Sequence, residues 1–133
     1  MEHITVSCGS GKYEICADAV LCGADLSVAV CGGTLMHAGA VSLAVYEPER
    51  SSATVSTIAV FSHRDDYISS RAAKCLSSAL RCTVSVTAGV HIDGASAEDI
   101  AILCENVDAA VQALISRLTP QRAAAPTLPG LPL

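Results

Sequence analysis

Apolar and polar residues alternate with period two through most of the first sixty positions. In 12–22 the odd positions Tyr13, Ile15, Ala19 and Leu21 are apolar, while Lys12, Glu14 and Asp18 are polar, which predicts a strand with one buried face. In 25–31, Leu26, Val28 and Val30 oppose Asp25, Ser27 and Ala29. In 40–46, Val41, Leu43 and Val45 oppose Ser42, Ala44 and Tyr46. Residues 54–61 are β-rich but alternate less cleanly. Gly23-Ala24-Asp25, Gly32-Gly33 and Glu47-Pro48-Glu49 supply turn chemistry between these runs, and such short connections predict an antiparallel meander.

The period then changes. From Arg64 to Leu80, Ile68, Ala72, Leu76 and Leu80 fall four apart on one helical stripe. Asp65 and Asp66 in the first turn, with Lys74 and Arg81 near the end, complement the helix dipole. Period two returns in 82–90. A second helix is predicted from about Ala97 to Leu118, striped by Ile100, Leu103, Val107, Val111, Leu114 and Leu118, with Ser96 as N-cap. The order strands–helix–strand–helix predicts an α+β domain: a mainly antiparallel sheet with two helices packed on one face. The domain is expected to span 1–118. Residues 119–133 hold four of the five prolines and no periodicity, and read as a disordered or loosely docked tail.

The sheet face away from the helices is expected to carry Ser27, Ala29, Ser42, Ala44, Thr54, Ser56, Thr83, Ser85 and Thr87, all small and uncharged. A fully solvated face normally carries more Lys and Glu, so this one is expected to be covered by another copy of the chain, giving a homo-oligomer.

Composition narrows the function classes. The chain has 133 residues, 51% of them hydrophobic and 16% charged, which fits one globular domain rather than a disordered chain. Eight Lys and Arg against thirteen Asp and Glu give a net charge of −5, without the basic footprint of a nucleic-acid binder. No apolar run approaches the ~18 residues that span a bilayer, and no secretory signal opens the chain. The seven cysteines are odd in number and include no C-x-x-C pair, so they read as reduced thiols in a cytoplasmic protein.

The candidate chemistry lies at element ends. His37 follows the strand ending at Cys31, His63 follows the one ending at Phe61, and His91 follows the one ending at Val90. If the last two strands are parallel, His63 and His91 emerge at one rim, where ligand sites gather in sheets with helical crossovers. Gly32-Gly33 after a strand permits a nest of backbone amides for an anion, although a plain turn is the commoner outcome. Ser62-His63-Arg64-Asp65-Asp66 opens the first helix either as a self-capped start or as an anion contact. His91-Ile92-Asp93 places imidazole and carboxylate together. With His37 they make a weaker alternative, a small metal-dependent enzyme. No G-x-S-x-G elbow or Cys-His signature supports nucleophilic catalysis. An assembly factor acting through its sheet face is a further alternative.

Three segments, 25–44, 61–80 and 86–100, resemble the prenylated-flavin chaperone family, the LpdD-like small subunit associated with gallate-type decarboxylases. The specific pieces are Gly32-Gly33 with His37 and Gly39, and Gly89-Val90-His91-Ile92-Asp93. Met36 and Ala38 depart from that family's proline and isoleucine beside the histidine. The resemblance implies a non-catalytic accessory protein that binds, protects or delivers prenylated FMN, or FMN itself, for a UbiD-type decarboxylase. Carried onto this chain, the implied cofactor-binding residues are Gly32, Gly33, His37, His63, Arg64, His91 and Asp93. The glycine amides and Arg64 would hold the phosphate, and His37 and His91 would bond ring or ribityl oxygens.

Overall fold

In the computed structural model, residues 1–60 and 64–124 are described. The strands are β1 (His3–Cys8), β2 (Ile15–Cys22), β3 (Asp25–Gly33), β4 (Ala40–Glu47), β5 (Ser52–Ala59) and β6 (Val84–His91). Helix α1 (Asp65–Leu80) joins β5 to β6, and α2 (Ala97–Ala124) follows β6. The six strands form one sheet in the order β1-β2-β3-β6-β4-β5. The fold is α+β with a mostly antiparallel sheet, as the change of period predicts.

The alternation in 3–8 belongs to an edge strand that the reading from residue 12 onward passes over. Here Ile4 is buried and Arg117 from α2 donates to the Thr5 carbonyl at 2.9 Å. Residues 11–13 form a 3₁₀ turn rather than the start of β2. Helix α2 runs past Leu118 and through Pro120 to Ala124, so the first part of the expected tail is helical; 125–133 lie outside the described residues. At its start the expected Ser96 cap is present and reciprocal. Ser96 Oγ accepts from the Asp99 amide at 3.1 Å, and Asp99 Oδ2 accepts from the Ser96 amide at 3.0 Å.

Two expectations need correction, and both bear on the site. First, the meander breaks after β3. Strand β6 inserts between β3 and β4, parallel to β3 and antiparallel to β4. The β3–β4 connection, residues 34–39, must therefore cross the end of β6. That gap is two strand spacings, about 9.6 Å, which six residues cover easily. Because β4 is antiparallel to both neighbours, β3, β5 and β6 all finish at the same end of the sheet.

Second, β4 is turned over. Ala40, Ser42 and Ala44 face inward, while Val41, Leu43 and Val45 are exposed. The physical reason is α1, whose sheet-facing residues include Ser69, Ala72 and Ala73. Small residues on both sides let helix and strand approach closely, and the buried Ser42 hydroxyl bonds Ser69 at 2.8 Å and Thr57 at 2.7 Å. Alternation defines two faces, but not which of them meets a helix. On β3 and β6 the prediction holds: Val28, Val30, Val84 and Val86 are buried together with Leu76, Leu114 and Leu118 from the helices.

Candidate functional site

The crossing of residues 34–39 over β6 builds the site. The Gly39 amide donates to the Ala88 carbonyl at 2.8 Å, and the Thr34 amide donates to the His91 carbonyl at 2.7 Å, so the loop is stitched to β6 at both ends. Between them the chain lies so close that a Cβ on Gly89 would stand 1.6 Å from the His37 carbonyl oxygen. Gly33, at φ +82°, makes the turn into the loop, and a Cβ there would stand 2.0 Å from the His91 carbonyl oxygen. These two glycines let one backbone run over another.

This crossing brings His37 beside His91. Their ring centroids are 6.4 Å apart and the planes meet at 81°. Each imidazole has a carboxylate partner, of a different kind. His37 Nε2 donates to Asp65 Oδ2 at 2.9 Å, and Nδ1 lies 3.3 Å from the Leu35 carbonyl. Both ring nitrogens thus face oxygen atoms of neighbouring groups, which fixes the orientation of the ring. Asp65 is buried, and its Oδ1 accepts from the Val90 amide at 2.9 Å, so one carboxylate ties α1, β6 and the crossing loop together. His91 Nε2 donates to Asp93 Oδ1 at 2.8 Å, and that carboxylate is 89% exposed. Leu35, Met36 and Val60, all exposed, add apolar surface at the same end of the sheet.

The sequence-predicted residues divide as follows. His37, His91 and Asp93 come together at the rim. Arg64 is the exposed residue preceding α1, next to Asp65. His63 lies outside the described residues. Gly32 and Gly33 sit at the end of β3, but not as an anion nest. The Gly33 amide donates to the Glu14 carbonyl at 3.3 Å and the next amide, that of Thr34, to His91, so these donors are already engaged. The glycines serve close approach instead: a Cβ on Gly32 would stand 2.3 Å from the Glu14 carbonyl oxygen.

Asp65 is the site residue that the sequence reading assigned elsewhere, as a dipole partner in a self-capped helix start. Its place at the N-terminus of α1 gave the signal, but only the crossing loop aims it at His37. Among the described residues no group of three His, Cys, Asp or Glu is arranged to hold a metal ion. His37 and His91 both have Nε2 engaged by carboxylates. An open groove between α1 and α2, away from the rim, is lined by Arg71, Cys75, Asp108 and Gln112. All seven cysteines are free thiols. Burial raises the pKa of Cys31, whose thiol packs against the His37 carbonyl.

Residues 9–119 match the model of the prenylated flavin chaperone LpdD-like domain, and the chain belongs to that family. No curated protein matches the chain. Among solved structures it resembles a component of a chaperone complex for yeast 20S proteasome assembly, with a TM-score of 0.58 and 14% identity over 92% of this chain and 99% of the other. At that identity the likeness concerns the fold. No helix of the described residues is long and apolar enough to cross a membrane.

Proposed function

We propose that the rim where His37 meets His91 binds prenylated FMN, and that the chain is a non-catalytic accessory protein that protects the cofactor and delivers it to a UbiD-type decarboxylase in the cytoplasm. The observation that carries this reading is the pair of imidazoles, 6.4 Å apart and crossed at 81°, at one end of the sheet. It is joined to membership of the prenylated flavin chaperone family.

The residues present suit such a guest. His91 has Nε2 engaged by Asp93, and its Nδ1 has no partner among the described residues, so it is the nitrogen a ligand oxygen can meet. The guanidinium of Arg64 puts positive charge at the rim of a chain with net charge −5, which favours a phosphate. Leu35, Met36 and Val60 offer apolar contact to a ring system where no tryptophan is available. The cofactor supplies the decarboxylation chemistry inside its enzyme; this chain's residues hold it, shield it and release it. Gly32 and Gly33 contribute by shaping the loop that carries His37.

Titration of the purified chain with prenylated FMN and with FMN, followed by flavin absorbance and fluorescence, tests the reading. Saturable binding at micromolar concentration is expected, weakened about tenfold or more in His91→Ala. No spectral change at tens of micromolar overturns it. Delivery is read separately, as faster activation of an apo-decarboxylase by the loaded chain than by free cofactor.

A further inference from the structure

On the sheet face opposite the helices, β4 and its neighbour β5 carry an apolar stripe where a solvated face would be polar. On β4 the branched residues Val41, Leu43 and Val45 point outward, each close to half exposed. Ile58, directly opposite Val41 on β5, is 82% exposed on the same face. Ser85 and Thr87 of β6 stand opposite Leu43 and Val41, so the stripe is flanked by short hydroxyl side chains and not by Lys or Glu. An antiparallel strand with one wet face normally puts its bulky residues in and its polar ones out. Here β4 does the reverse.

We infer that this face seats a second copy of the chain, the two sheets stacking into a sandwich with the helix layers outside. Size supports that occupant. Six strands about 4.8 Å apart and about eight residues long present roughly 750 Å², close to the ~800 Å² per partner of a stable complex. Charge supports it as well. Two chains of net charge −5 repel at long range, and the stripe itself is uncharged; the acidic residues on the same face, Asp18 on β2, Asp25 at the start of β3 and Glu47 at the end of β4, lie outside it. A line of aliphatic residues along one strand is also self-complementary about a two-fold axis, as an isologous contact requires. Ridges of Val and Leu from both copies would interdigitate about 10 Å apart, as in sheet-on-sheet packing. The dimer does not depend on the flavin reading: His91 stands at the upper end of this face, but none of the stripe residues belongs to the rim.

Sedimentation velocity of the untagged full chain tests the inference. Twice the 13.6 kDa chain mass is expected at micromolar concentration. Leu43→Glu should weaken association about a hundredfold and leave monomer. Because Leu43 is only half exposed, Ile58→Glu serves as the second variant, at a position where a charge costs the isolated fold little. Lys74→Glu on the exposed side of α1 should leave the dimer intact. A wild-type chain that stays monomeric at 100 µM overturns the inference and leaves the face to a different protein. A dimer that survives both Leu43→Glu and Ile58→Glu overturns it too, in favour of another surface such as the β5 edge.

Discussion

Two histidine–carboxylate pairs stand side by side at the end of the sheet, and they are not equivalent. In the His37–Asp65 pair the carboxylate is 5% exposed and also accepts a backbone amide from β6. In the His91–Asp93 pair the carboxylate is 89% exposed and the imidazole 44% exposed. The first pair holds the loop crossing in place; the second is positioned by that crossing but supports nothing beneath it. A site can therefore place one member of a matched pair in the fold's own hydrogen-bond network and leave the other available to a guest. Removing the first should cost stability, and removing the second should cost binding.

Gly89→Ala is the most severe way to break the comparison, because it disturbs both pairs at once. The added Cβ would collide with the His37 main chain, which cannot swing aside as a side chain can. A loss of about 4 kcal/mol is expected, read as a fall of roughly 10–15 °C in melting temperature together with loss of flavin binding. Unchanged melting would mean that the loop does not cross where described.

Asp65→Ala separates the pairs. It leaves the Val90 amide and the His37 ring without this carboxylate and should cost about 3 kcal/mol, measured by urea unfolding. Asp65→Asn keeps an acceptor for the amide and should cost clearly less. Equal losses for the two would show that the buried charge, rather than the hydrogen bonding, matters.

A carboxylate far from the rim sharpens the contrast through pH. Asp99 at the start of α2 accepts from the Tyr13 hydroxyl at 2.6 Å, from the Ser96 amide and from Lys12, and in that order these hold its pKa well below the usual carboxylate range. A group with a lowered folded-state pKa contributes stability that is complete above about pH 4 and fades as the pH falls below it. The difference in urea midpoint between wild type and Asp99→Asn should therefore be largest near neutrality and shrink toward pH 2. A pH-independent difference would remove Asp99 as the source.

The smallest stability effect belongs to the exposed pair. His91→Ala and Asp93→Ala should each change stability by about 0.5 kcal/mol or less, since exposed ion pairs contribute little. Flavin affinity should nevertheless fall in His91→Ala. A melting shift as large as that of Asp65→Ala would erase the distinction between the pairs.

Much of this was legible in the order of residues. The period-two runs placed the strands from β2 to β6, the fourfold spacing from Ile68 to Leu80 placed α1, and Ser96 marked the start of α2. The position of His37 and His91 just after strands marked them as rim residues, because strand ends are readable wherever alternation stops. Two things were not legible, for one physical reason. Periodicity is a local property, whereas strand order and face assignment depend on which distant segment packs where. The insertion of β6 beside β3 put His37 over Gly89 and turned Asp65 from a helix-end charge into the anchor of the site. The small residues of α1 drew Ser42 and Ala44 inward and left Val41, Leu43 and Val45 on the open face. Local alternation could establish that β4 has two sides; only the helix lying across it determined which side meets water or a partner.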